Sequence, residues 1–443
     1  MRSGRLPPPD RFRRLVLEAQ RAYRLPSISA AVFRGDELVW SEAIGLADVE
    51  GRVEATPDTQ YAIASITKTF TAVSVLQLRD EGKLDLDDPL AKHLPEATHE
   101  QPTLRRMLAH ASGLQREPPG EIWESLTFPE EAELLAGLAE TEQVLPPMAA
   151  WHYSNLAYAL LGIVVSRLSG MPFRDYVSER LFDPVGLERT KWGPGGGAAL
   201  PYFVDPYSDA VQREPVLELG GKGGESGLYS TTVDLARWGA FLCDPDESVL
   251  KASSVAEMHD LNVMAEADWT LGWGLGLELW RRGERVFAGH TGGYPGFLSF
   301  LGCARRDGVG AILLTNTSHW PKLSPTGLDL AEAALEELAP ALAPWTPEDA
   351  PPAEIAPMLG RWWSEGSETI FSWRRGRLEA RLAAAPPERD PSVFEQEAED
   401  RFRVVSGRER GESLRVVRDE GGEVVRLYWA TYPFTRTPEV FGS

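Results

Sequence analysis

Cysteine is nearly absent from this chain: Cys243 and Cys303 are the only two in 443 residues. Standing 60 residues apart, they supply neither a metal-ligand cluster nor a Cys-x-x-Cys redox pair, and they read as buried free thiols. No apolar run approaches the roughly 18 residues that a membrane span requires. The opening MRSGRLPPPDRF has arginines but no apolar segment behind them, so a secretory signal is not expected. Gly-x-Ser-x-Gly is missing, which removes the α/β-hydrolase elbow as a source of esterase chemistry. His-Glu-x-x-His and a phosphate-binding glycine loop are missing too, so neither a metal nor a cofactor is expected. Positive charge is in short supply, 45 Lys and Arg against 66 Asp and Glu. The resulting net charge of −21 argues against nucleic acid and anionic membranes as partners. The expected location is the cytoplasm.

What is present suffices for one large domain and a smaller one. Residues 11–24 set Phe12, Leu15, Leu17 and Tyr23 among charges and predict an amphipathic helix. ISAAVFRGDELVWSEAIG (28–45) places two apolar runs around Arg34-Gly35-Asp36, a β-hairpin with that tripeptide as its turn. A helix is predicted from about Ser65 to Glu81, stopped by Gly82, with an Asp- and Pro-rich loop after it (85–102). NLAYALLGIVVSRLSG (155–170) is apolar nearly all round and ends on glycine, which predicts a buried helix. From 269 the pattern turns to short strands, closed by a helix at 326–338. A proline-rich linker (339–357) leads into further short strands over 358–443. The expected fold is α+β: an antiparallel sheet flanked by helices with an inserted helical lobe, plus a small C-terminal antiparallel β-barrel. The expected domains are 1–345 and 346–443.

Three short motifs carry chemistry. Ser65-x-x-Lys68 opens the second helix, but with 28 serines and seven lysines about 0.4 such matches arise by chance. Ser248-x-x-Lys251 is a second match, inside an acidic loop. Tyr153-Ser154-Asn155 is rarer, because the chain has only three asparagines, and it stands at the start of the buried helix. His290-Thr291-Gly292-Gly293 follows a strand, and its glycines would let a substrate backbone lie close along the strand edge. Taken singly, each has an ordinary structural reading: a helix start, an N-cap, a turn.

In this order and spacing the three motifs resemble the penicillin-recognising serine hydrolases, a group that includes class C β-lactamases, family VIII esterases and D-aminopeptidases of the S12 type. LRRMLAHASGL (104–114) and GGESGLYSTTVDLARW (223–238) are similar to further segments of that group, and the likeness covers roughly residues 20–335. The small C-terminal domain resembles the lipocalin-like barrels of some members, which implies a cover over the cleft. The resemblance implies Ser65 as nucleophile with Lys68 and Tyr153 as its acid/base partners. It implies an oxyanion hole from the N–H groups of Ser65 and Gly293, and substrate contacts from Asn155, His290, Thr291 and Gly292. Ser248 falls in the wrong order and reads as a surface or cap residue.

One position departs from the pattern. β-Lactamases and D,D-carboxypeptidases of this group usually carry lysine where His290 stands. Histidine is mostly neutral above its reference pKa of about 6.5, so its pull on a substrate carboxylate is weak. The expected activity is therefore serine hydrolysis of a small ester, amide or short peptide with an esterase or D-aminopeptidase/amidase preference. β-Lactamase or D,D-carboxypeptidase activity is the alternative, and a catalytically silent or self-assembling scaffold is the reading from outside enzymology. A homo-oligomer is left open.

Overall fold

The computed structural model describes residues 8–97, 102–217, 222–339, 344–347, 349–386 and 389–440, with Pro8, Pro9 and Lys222 as backbone only. The chain packs as two compact units that divide between Pro340 and Ala341. The first is built on a nine-stranded antiparallel sheet. From one edge to the other its strands are Val53–Glu54, Glu37–Asp48, Ser27–Arg34, Val309–Thr315, Phe297–Ala304, Arg285–Tyr294, Glu278–Arg282, Leu271–Trp273 and Val263–Met264. The N-terminal hairpin thus joins the late strands through Ser27–Arg34, which pairs with Val309–Thr315.

Both faces of this sheet are covered. Along Ser27–Arg34, Ile28, Ala30 and Val32 enter one core while Ala31 and Phe33 enter the other, the two-residue alternation of a strand. The first core is closed by the helices Pro8–Tyr23 and Leu323–Glu337, through Phe12, Val16, Leu330 and Ala334. The late helix starts three residues earlier than its apolar pattern predicts. Pro325 is accommodated in its first turn, where no intrahelical N–H bond is needed. The second core lies under the helices Thr67–Asp80 and Thr232–Cys243, where Phe70 stacks on Trp238 at 3.8 Å and the indole Nε1 donates to Thr69 Oγ1 at 2.7 Å.

The Asn155–Ser169 helix is buried at every residue from Leu156 to Val165 and ends at Gly170 in the left-handed region (φ 73°). The glycine-rich segment GGKGGESG (220–227) is close-packed where it is described. A side chain on Gly224 would sit 2.2 Å from the Tyr158 carbonyl, and Gly224 O accepts from Thr71 Oγ1 at 2.5 Å. Residues 220–221 of that segment lie outside the described residues. Ser248 is exposed in a turn, with its N–H donating to Asp246 at 2.8 Å.

The second unit is a single eight-stranded antiparallel sheet in sequential order, Gly360–Ser364 to Tyr432–Phe434. Trp363 and Thr435 exchange N–H···O bonds of 2.9 and 3.0 Å and bring its two ends together as a barrel. Trp362, Phe371, Leu378, Phe394, Leu414 and Leu427 fill its interior. Among the described residues no single helix is long and apolar enough to cross a membrane.

Gly292 shows how the sheet carries the site. Its missing side chain makes room for the Ile63 carbonyl, which a Cβ would approach to 2.1 Å, and Ser299 Oγ donates to the same carbonyl at 2.9 Å. The strand therefore props up the turn in front of Ser65. Gly292→Ala is expected to destabilise the fold by about 1–3 kcal/mol, an overpacking cost. Gly293→Ala, whose nearest neighbour would be Leu298 at 3.6 Å, should leave the melting temperature near wild type. Calorimetry on the pair checks this.

Candidate active site

Ser65 lies in a 3₁₀ turn, Ala64–Ile66, that runs straight into the Thr67–Asp80 helix. Sequence alone places it in the α-helix; the tighter turn lifts it clear of the first helical residues. The turn is entered through Ala64 at φ +46°, a left-handed conformation costly for a residue with a side chain. Ser65 N–H belongs to the leading N–H groups of this helical run, those without an intrahelical acceptor. Lys68, one turn on, has no exposed surface. Its Nζ donates to Ser65 Oγ at 3.1 Å and to the Glu225 carbonyl at 3.0 Å, with the Glu225 carboxylate at 3.9 Å.

Tyr153 completes the group. Burial pushes its phenol well above the ordinary range, opposed by a hydrogen bond with the Ser65 hydroxyl. Lys68 Nζ stands 5.1 Å from its ring centroid. The ring is fixed from behind by His110, stacked at 4.1 Å, whose Nδ1 also accepts from Ser154 N–H at 3.1 Å. Ser154 in turn caps the Asn155–Ser169 helix, its hydroxyl accepting from Ala157 N–H at 3.0 Å. Asn155 Nδ2 donates to Glu117 Oε1 at 2.6 Å, and its Oδ1 is buried with no hydrogen bond. His110 and Glu117 were not singled out from the sequence; His110 lies inside the HASGL segment that carries the family resemblance, and no sequence pattern marks Glu117.

The His-Thr-Gly strand is where structure adds most. Its neighbour Glu278–Arg282 begins opposite Gly289, so residues beyond have an open edge. Glu278 fills the first part of that edge with its side chain: Oε1 accepts from Thr291 N–H at 2.8 Å and from Thr291 Oγ1 at 2.5 Å. Strand N–H groups two residues apart point the same way, so Gly293 N–H is directed to the same open side. Gly293 and Thr291 line a cleft of about 500 Å³ with Ser65, Tyr153, Asn155 and Glu278. Trp151, Trp273 and Tyr294 supply aromatic wall to the same cleft. His290 and Gly292 are not among its lining residues: Gly292 faces Ile63, and His290 is buried under the cleft wall, its ring 5.7 Å from that of Trp273 and 6.3 Å from that of Tyr153. Its Nδ1 donates to the Thr291 carbonyl at 2.5 Å and lies 3.4 Å from Glu278.

Electrostatics follow from burial. His290 is lowered to about 3 by desolvation first and by Lys68 second, and His110 is also lowered, for the same two reasons in that order. Both are neutral at pH 7, so Lys68 is not crowded by charged imidazoles. Glu278 goes the other way, pushed up to about 7 by burial and opposed by its bonds from Thr291. No sequence pattern marks this carboxylate; it matters because the strand carrying it stops short. Among the described residues no group of three or more His, Cys, Asp or Glu side chains is placed to hold a metal ion.

A family model described as Beta-lactamase matches residues 12–336, and a second, described as a domain of unknown function, matches 351–436. Beta-lactamase-like protein 2 of Dictyostelium discoideum is 28% identical over 276 residues, 56% of this chain and 48% of its own length. The chain spans 48% to 61% of the curated relatives it matches. An octameric penicillin-binding protein homologue from Pyrococcus abyssi superposes with a TM-score of 0.64 at 22% identity, over 96% of this chain and 99% of that one. A D-stereospecific amidohydrolase from Streptomyces superposes with a TM-score of 0.60 at 25% identity, over 74% and 98%.

The raised Glu278 predicts a signed effect on stability. Between about 4.5 and 7 the folded protein holds a proton there that the unfolded chain has released. Wild type thus loses this contribution as pH rises through that window. Glu278→Gln has no such group, so its stability relative to wild type should climb from pH 4.5 to 7 and then level off. Urea denaturation of both proteins across this range measures the difference.

Proposed function

The chain belongs to the beta-lactamase family, and on that footing we propose that it hydrolyses small esters or amides through an acyl-enzyme on Ser65. The observation that carries this is the contact of Ser65 Oγ with both Lys68 Nζ (3.1 Å) and the Tyr153 phenol on the wall of the cleft. A serine hydroxyl needs such a base to act near neutral pH. Ser65 attacks the acyl carbonyl and yields its proton to the Lys68 amine. The buried phenol of Tyr153 stays protonated, so it enters as the donor that relays a proton to the leaving group. Water then releases the acyl group by the same relay in reverse. The developing oxyanion is received by the N–H groups of Ser65 and Gly293, fixed dipoles in a site of low polarity.

The substrate preference rests on Glu278. Its carboxylate occupies both Thr291 donors, so the threonine hydroxyl is engaged before any substrate arrives. The neutral, buried His290 adds no positive charge there. Once Glu278 is ionised, above about pH 7, a substrate carboxylate beside the scissile bond would meet a like charge, whereas an ammonium would meet a partner. Neutral esters and D-aminoacyl esters or amides are therefore the proposed substrates, in keeping with the likeness to a D-stereospecific amidohydrolase. Trp151 Nε1 and Trp273 Nε1, buried without partners, offer donors to the acyl group. One observation favours β-lactamase or D,D-carboxypeptidase activity: Arg116 lies at the rim over the Tyr153 ring at 4.9 Å. Glu117, 3.9 Å from its guanidinium, offsets that charge.

Glu278→Gln separates these readings. It should lower kcat/KM for D-aminoacyl p-nitroanilides by about tenfold, the loss of roughly 1.4 kcal/mol of ion pairing. It should raise turnover of nitrocefin and leave p-nitrophenyl butyrate unchanged. An equal change on all three would reduce Glu278 to a packing role. Ser65→Ala should abolish turnover of every substrate. His290→Lys is a poor substitute for this test, since it would bury a second ammonium beside Lys68.

A further inference from the structure

The two cysteines are distant in sequence, yet the fold brings them together. Gly239, in the Thr232–Cys243 helix, lies over the strand Phe297–Ala304, where a Cβ would stand 3.0 Å from Leu301 Cδ1. One helical turn beyond Gly239 is Cys243; two strand residues beyond Leu301, on the same face, is Cys303. Four residues of helix advance about 6 Å and two of strand about 6.6 Å, so the two side chains arrive opposite one another. Arg305, the next residue on that face, continues the match by donating from Nε to the Cys243 carbonyl at 3.3 Å. The Cys243 side chain acts directly on the Cys303 thiol, and both are free thiols. Gly310, paired with Cys303 on the adjoining strand, leaves room beside it, since a Cβ there would fall 2.8 Å from the Cys303 Cβ.

Access is unequal. Cys243 lines a surface depression with Arg34, Asp244, Arg305 and Arg306, while Cys303 lies behind it, 1% exposed. We propose that Cys243 and Cys303 are a modification site: a disulfide made by exchange with a small disulfide oxidant of the glutathione disulfide class, tying the last turn of the helix to the sheet. The Cys243 thiolate attacks one sulfur of the oxidant, forming a mixed disulfide and expelling the first thiolate. Cys303 then attacks Cys243 Sγ, closing the internal bond and expelling the second. The two cysteines lose two protons and two electrons, and one oxidant disulfide becomes two thiols. The Cys303 thiol is held well above its ordinary value by the Cys243 side chain and by burial, so the closing step should quicken with rising pH. A disulfide spanning 60 residues restricts the unfolded chain and raises stability.

The test incubates the full chain with glutathione disulfide at mildly alkaline pH, followed by non-reducing peptide mapping and thermal melting. The expected result is a peptide linking Cys243 to Cys303, a monomer lighter by two hydrogens, and a melting temperature a few degrees higher that returns on reduction. Cys303→Ala should stop at the mixed disulfide on Cys243 and show no rise. Two thiols still open to alkylation after unfolding would overturn the proposal. So would persistent glutathione adducts on the wild type, or disulfide-linked dimers.

Discussion

The site depends on a lysine with no exposed surface. Lys68 sits inside the protein because its neighbours are arranged around its amine and the ammonium it becomes on taking the Ser65 proton: a serine hydroxyl, a backbone carbonyl and two tyrosine faces within 6 Å of its nitrogen. Buried charge is costly unless paired and hydrogen-bonded. The structure meets that condition with Glu225, held on a glycine-packed turn that cannot withdraw without separating Gly224 from Gly162. Burial first, and the same lysine second, keep the two nearest histidines neutral. Nucleophile, relay and surrounding imidazoles therefore form one electrostatic unit, not three independent motifs.

Close approaches of backbone hold that unit in register. Gly292 lets the central strand support the Ile63 carbonyl, Gly224 lets its turn sit on the buried helix, and His110 braces Tyr153 by stacking on its ring and accepting from the N–H groups of its neighbours Ser154 and His152. None of these contacts touches the cleft directly, but each sets the position of a residue that does. The strained entry at Ala64 belongs to the same scheme: surrounding packing fixes a backbone conformation that the turn alone would not adopt.

Much of this was legible in the chain. The amphipathic N-terminal helix, the hairpin at 28–45, the buried helix at 155–170 and the late strands all carry periodicities that survive folding. Ser65, Lys68 and Tyr153 stood out because Tyr-x-Asn is rare in a chain with three asparagines and because the order of the motifs restricts the choice. Glu278 was invisible, since its role arises where one strand stops and its neighbour continues, a fact of sheet topology. The glycines of the His-Thr-Gly segment were read as space for substrate, yet at Gly292 the space is taken by the chain itself. Likewise, the separation of 60 positions between the cysteines hid a contact that depends on a helix and a strand running side by side.

The central claim is that Ser65 is the nucleophile and that Lys68 activates it. A fluorophosphonate probe followed by peptide mapping tests this most directly. The account predicts one modified residue, Ser65, labelled far more slowly in Lys68→Ala. Labelling at any other serine, or an unchanged rate in Lys68→Ala, would contradict it.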